Sequence, residues 1–214
     1  MSNFKYVPKR EVVEVKKEII ELINLVQDEV RDQFTFRYDF IGSSQLNCVT
    51  CDYSSNVGFD LDVNLRVNDD EENFSAEEIK RILINGFNKY NHLFKFDYCE
   101  DSSRVITIKV KDRNNSKILH SCDFAVVYDC SNGRQQYIRF NKNQNSYVWE
   151  YQPKGFYELD ERIAWIKKNN LWNVFLELYL EKKNLNQNPN KKSRSLRAEA
   201  VNEIYNSHNH YKIN

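Results

Sequence analysis

Three acidic side chains and one small turn are the parts of this sequence whose types and spacing suit chemistry. In Phe59-Asp60-Leu61-Asp62-Val63 the aspartates sit two residues apart in a strictly alternating stretch. A strand there turns both to one face, with Cα atoms roughly 6.5–7 Å apart. Carboxylates that close repel unless a cation lies between them, and hard divalent ions such as Mg²⁺ take such oxygens and are commonly completed by phosphate. Asp123 stands alone among apolar neighbours in Ser121-Cys122-Asp123-Phe124-Ala125-Val126-Val127. A carboxylate in such a strand is costly unless it is paired or bound to metal. Should its strand lie beside that of Asp60 and Asp62, three carboxylates converge, a set able to hold two metal ions ~4 Å apart. Gly42-Ser43-Ser44 follows another alternating stretch. Glycine at such a strand end lets backbone amides approach a phosphate, and the two serines add hydroxyl donors.

The elements that must position these groups follow from periodicity. Val12, Val15, Ile19, Ile20, Ile23, Val26 and Val30 recur at helical steps, predicting an amphipathic helix over 11–31. Phe34, Phe36, Tyr38 and Phe40 alternate with polar residues and predict a strand. After a polar loop or short helix, Phe59, Leu61, Val63, Leu65 and Val67 point one way while Asp60, Asp62, Asn64 and Arg66 point the other. Ser75 and Glu78 have the spacing of a capping box at the start of a helix. Strands are expected around Leu93–Tyr98 and Arg104–Lys111, then a mostly apolar, hence central, strand in Ile118–Asp129. A hairpin over Arg134–Gln152 is expected at the sheet edge, and helices at 158–169, 171–184 and 195–206. The order predicts an α+β fold, a mixed β-sheet with helices packed on one side, plus a C-terminal helical segment. The expected division is a catalytic domain over 1–157 and a helical segment over 158–214 packed on it.

Composition narrows the classes of partner. The 214 residues suffice for one sizeable core. Lys plus Arg (31) equals Asp plus Glu (31), so the overall charge demands neither nucleic acid nor membrane. The acidic run Asn68–Asn73 and the basic residues Lys182, Lys183, Lys191, Lys192, Arg194, Arg197 and Lys212 read as a solvated turn and tail. No stretch approaches the ~18 apolar residues of a membrane span. The N-terminus lacks the apolar run of a signal peptide. Five cysteines, an odd number, fit reduced thiols and a cytoplasmic setting.

Taken together, Ile41-Gly42-Ser43, Phe59-Asp60-Leu61-Asp62-Val63 and Cys122-Asp123-Phe124 resemble the pattern of the nucleotidyltransferase superfamily typified by DNA polymerase beta. The resemblance runs over roughly residues 10 to 130. "GSS…GFDLDVNL" followed by "SCDFAVV" is most similar to the branch holding cyclic GMP-AMP synthase, oligoadenylate synthase and bacterial relatives that make nucleotide signals. That resemblance implies transfer of a nucleoside monophosphate from a nucleoside triphosphate to an acceptor hydroxyl, with Mg²⁺ (or Mn²⁺) and release of pyrophosphate. It also implies metal binding by Asp60, Asp62 and Asp123, proton removal from the acceptor by Asp123, and phosphate binding by Gly42, Ser43 and Ser44. The interval from Ser43 to Asp60 is longer than in compact members, and the C-terminal helical part is short for a synthase that holds two nucleotides. The acceptor thus stays open among a nucleotide, a protein, a small molecule and an RNA end. The alternative is a non-catalytic nucleotide-binding regulator or antitoxin on the same fold.

Other candidates weigh less. Cys48 and Cys51 form a C-x-x-C to which His120 and Cys122 could add zinc ligands, but only if the loop folds back on the Asp123 strand. Reduced thiols in a loop and a core strand are the simpler reading. The order of a zinc deaminase motif is reversed and its Glu absent, and a redox pair would open a helix after a strand. Trp149, Tyr151 and Lys154 could hold a base and a phosphate, though edge-strand aromatics usually pack. Arg104, Lys109 and Lys111 could reach a triphosphate or simply be solvated. The basic Asn190–Arg194 segment could guide an anionic acceptor, and no role is expected of His208 or His210.

Overall fold

Alternation and helical periodicity place the elements close to where the sequence predicts them. The computed structural model describes residues 2–69, 73–152 and 157–209. The acidic residues 70–72, Lys154, His210 and Lys212 lie outside them. In chain order come strand β1 (Phe4–Tyr6), helix α1 (Lys9–Val30), β2 (Thr35–Ile41), the short α2 (Gly42–Leu46), β3 (Thr50–Asp52) and β4 (Phe59–Asn68). Then follow α3 (Ala76–Tyr90), a 3-10 turn at Asn91–Phe94, β5 (Glu100–Asp101), β6 (Ile106–Asp112) and β7 (Lys117–Asp129). The hairpin β8 (Gln135–Asn141) and β9 (Ser146–Tyr151) precedes α4 (Tyr157–Lys168), α5 (Trp172–Leu185) and α6 (Ser193–Asn209).

The chain divides into two units: Val7–Cys51 with Asn56–Gln152, and Met1–Tyr6 with Asp52–Ser55 and Pro153–Asn214. The larger unit is built on a mixed sheet with strand order β2-β4-β7-β6-β5, and the β8–β9 hairpin is joined to β7. β4 and β7 run parallel, while the other neighbours are antiparallel. The mostly apolar β7 is interior, as its composition predicts.

One face of this sheet is the core. Leu61, Val63 and Leu65 of β4, Cys122, Phe124 and Val126 of β7, and Ile106 and Ile108 of β6 are at most 1% exposed. Helices α1 and α3 close this core, with Ile19, Leu22, Ile23 and Val26 facing Ile79, Leu83 and Phe87 in one apolar cluster. Phe87 stacks on Phe124 at 4.5 Å between ring centres, fixing α3 against β7. The capping box forms as its spacing predicts: Ser75 Oγ accepts from the Glu78 amide and Glu78 accepts from the Ser75 amide.

The strand expected at Leu93–Tyr98 is instead the 3-10 turn followed by irregular chain, with only Glu100–Asp101 in the sheet. Side chains capture this backbone before a strand can. Asn91 Nδ2 donates to the Asp97 carbonyl at 2.9 Å, and Asn88 Oδ1 accepts from the Cys99 amide at 2.7 Å.

In the smaller unit α4, α5 and α6 bury Ile163, Ile166, Phe175, Tyr179, Ala200, Val201 and Ile204. Trp165 of α4 meets Tyr205 of α6 edge-on at 5.1 Å. β1 is tied to α5 by paired hydrogen bonds between the Phe4 backbone and the Asn184 amide. No helix among the described residues is long and apolar enough to cross a membrane.

Candidate active site

With the apolar residues of β4 committed to the core, Asp60, Asp62 and Asn64 must emerge on the opposite face. The parallel register brings Asp62 opposite Asp123 and Asp60 opposite Ser121. On the far side of β7, Thr107 of β6 stands opposite Asp123 and Lys109 opposite Ser121. One carboxylate oxygen from each of Asp60, Asp62 and Asp123 lies within 4.8 Å of the others. Residues 61 positions apart in sequence, such as Asp60 and Ser121, thus become neighbours.

The electrostatics of this trio are unfavourable as they stand. Surrounding protein and the charges of Asp123 and Asp62 push the Asp60 carboxyl up to about 7, against the opposing pull of the Ser121 hydroxyl and the Leu61 amide. Asp60 keeps open surface toward solvent, so crowding on its other sides, rather than full enclosure, supplies the burial. Asp123 is raised as well, by burial first, with Glu100 adding to it and Thr107 and Lys109 working against it. Three hard oxygen donors that cannot comfortably all be ionised together fit a divalent cation, whose charge reverses the conflict.

Hydroxyl groups hold the trio in place. Ser121 Oγ donates to Asp60 Oδ1 at 2.8 Å, and Thr107 Oγ1 donates to Asp123 Oδ1. Asp62 is fixed through its backbone, since its N–H donates to Ser44 Oγ at 3.1 Å. Ser121 is legible in the sequence, two residues before Asp123 and therefore on its face. Thr107 has no such signal, because only the β6–β7 pairing brings it to the site.

The Gly42 turn adjoins the trio because β2 pairs with β4 up to Ile41 opposite Asp62. Gly42 then adopts φ +66°, the left-handed region where a side chain is disfavoured, and the chain enters α2. Lys16 of α1 anchors the turn by donating to the Ser44 carbonyl at 2.5 Å. Gly42 and Ser43 are half-buried beside Asp62. Ser44 lies deeper than Ser43. Its side chain is fully buried, and its Oγ accepts from the Asp62 amide.

The remaining candidates separate. Lys109 faces the trio but pairs with Glu100 at 2.5 Å, and Lys111 pairs with Asp97 at 3.0 Å. Arg104 is exposed, its guanidinium over the Tyr137 ring at 5.9 Å. Trp149 packs near Tyr128, and Tyr151 lies under Arg134 at 3.7 Å. The cysteines form no disulfide. Among the described residues, Cys48, Cys51, His120 and Cys122 do not assemble into a group of three or more metal-ligating atoms. Burial holds the Cys122 thiol well above its ordinary range, and His120 is packed between the Phe59 and Phe96 rings.

No protein-family model and no curated protein matches this sequence. Solved structures do match its fold. The DncV cyclic AMP-GMP synthase of Vibrio cholerae, in complex with nonhydrolyzable GTP, is 15% identical with a TM-score of 0.58, over 95% of this chain and 58% of that one. Escherichia coli DncV in a 3'-deoxy GTP bound form is 16% identical with a TM-score of 0.55, over 89% and 53%. The CD-NTase CdnG of Bradyrhizobium diazoefficiens, in complex with GTP, is 9% identical with a TM-score of 0.52, over 82% and 43%. The chain thus spans about half the length of the structures it matches. The chain has the nucleotidyltransferase fold of these DncV and CD-NTase structures, and three converging carboxylates stand on the polar face of its sheet.

Proposed function

We infer that this protein transfers a nucleoside monophosphate from a nucleoside triphosphate to an acceptor hydroxyl and releases pyrophosphate. The observation that carries this reading is the convergence of Asp60, Asp62 and Asp123 from two parallel strands beside the Gly42 turn. The GTP and GTP analogues in the matched structures support a triphosphate as donor.

Asp60 and Asp62 would hold two Mg²⁺ or Mn²⁺ ions, and Asp123 would complete the set. When bound, the ions supply Lewis-acid activation at the α-phosphate and neutralise charge on the departing pyrophosphate. The protein supplies position. The backbone at Gly42 and Ser43 would receive the β- and γ-phosphates beside Asp62. An acceptor hydroxyl would be placed in line with the departing group. Asp123 would help take the proton from the acceptor hydroxyl.

The test is incubation with ATP, GTP, CTP and UTP, singly and in pairs, with Mg²⁺ or Mn²⁺, followed by pyrophosphate assay and product mass. Expected is metal-dependent pyrophosphate release by wild type and none by Asp62→Asn. Silence with every nucleotide and both metals would refute transfer to a nucleotide acceptor and favour a nucleotide-binding regulator on this fold.

A further inference from the structure

Resting on that metal-dependent reading, we propose that Thr107 and Ser121 are positioning residues that make the carboxylate trio select small divalent ions over calcium. Each donates a hydrogen bond from its hydroxyl to one carboxylate of the trio: Thr107 to Asp123 Oδ1 from β6, Ser121 to Asp60 Oδ1 from within β7. An oxygen that already accepts a hydroxyl proton is the poorer metal ligand of its carboxylate. Asp60 and Asp123 therefore each present one oxygen to an ion rather than two.

One-oxygen ligation suits Mg²⁺, which wants compact six-fold octahedral surroundings and keeps its waters. Ca²⁺ takes six to eight oxygens at longer range and commonly draws both oxygens of a carboxylate. Rigidity strengthens the selection. Thr107 is β-branched, so its side-chain rotation is restricted, and it stands in register opposite Asp123 in a half-buried row. Ser121 stands in register with Asp60 on one side and Lys109 on the other. Asp62, held through its amide by Ser44, cannot shift along the strand to make room for a larger ion.

The test uses Thr107→Val, which keeps the shape and removes the donor, and Ser121→Ala, singly and together in the full chain. Mg²⁺, Mn²⁺ and Ca²⁺ are titrated without nucleotide by calorimetry, with circular dichroism to check folding. Expected is a loss of Mg²⁺ and Mn²⁺ affinity of about 10-fold or more in each variant, while Ca²⁺ binding holds or tightens. Thr107→Ser restores the wild-type preference. Should Thr107→Val not fold, Ser121→Ala decides alone, since it removes one half-exposed hydroxyl. Equal losses for all three ions, or no change, overturn the proposal while wild-type Mg²⁺ binding leaves the metal-dependent reading standing. A wild-type chain that binds none of the three ions overturns both.

Discussion

Asp62 and Asp123 face each other as register partners across the parallel pair β4 and β7. Like charges set opposite one another on a sheet destabilise it, so the fold holds a conflict that a cation or a proton relieves. Asp123→Asn should therefore leave the metal-free protein as stable as wild type or slightly more so. The rise in melting temperature that Mn²⁺ gives the wild type should vanish in the same variant. Thermal melts with and without Mn²⁺ measure both.

Acidity should compete with metal at this site. The Asp60 carboxyl sits at about 7 against an ordinary 3.8. Between those values the folded metal-free chain holds a proton that the unfolded chain does not. That contribution to stability is fully present below pH 3.8 and is lost as pH rises through 7. Metal needs the ionised form, so Mn²⁺ affinity should fall by about tenfold per pH unit below 7, and Asp60→Asn should flatten the dependence. His120 works in the opposite sense. Burial holds its imidazole at about 4, so its contribution is present above pH 6.5 and is lost as pH falls through 4. Comparing wild type with Asp60→Asn at each pH separates the two.

Gly58 should tolerate no side chain. A Cβ there would lie 1.9 Å from the Leu119 carbonyl oxygen, and backbone cannot swing aside as a side chain can. Gly58→Ala would push the start of β4 off β7, where Asp60 meets Ser121. Urea unfolding should show a loss of about 2 kcal/mol or more, and Mn²⁺ affinity should fall with it.

The Gly42 turn can be tested from two sides. Gly42→Ala forces a side chain into the left-handed region, at a cost of about 1–2 kcal/mol. Ser44→Ala leaves the Asp62 amide without its buried acceptor, at about 1–3 kcal/mol. Chemical denaturation should register both losses. If the turn receives phosphate, Gly42→Ala should also weaken triphosphate binding with Mn²⁺ affinity nearly unchanged.

Most of this framework was legible in the chain. The alternation around Asp60 and Asp62 and the apolar run around Asp123 identify two strands and the faces they share, while periodicity gives α1 and the capping-box spacing marks the start of α3. The segment at Leu93–Tyr98 misled because an apolar-polar pattern cannot reveal that Asn88 and Asn91 claim its backbone. The bond from the Asp62 amide to Ser44 was not legible for a related reason. Two adjacent serines look alike in sequence, and only the entry angle set by Gly42 turns one inward to the Asp62 amide. Thr107 was invisible because its partner is chosen by strand register, which no local pattern encodes.

The two strands that carry the acidic trio run parallel, and parallel neighbours cannot be joined by a tight turn. Everything from α3 through β6 therefore lies in the chain between the first two carboxylates and the third. The opposition between Asp62 and Asp123 is felt only once β4 and β7 are paired. Divalent ions added during refolding should consequently slow unfolding while scarcely changing the rate of folding.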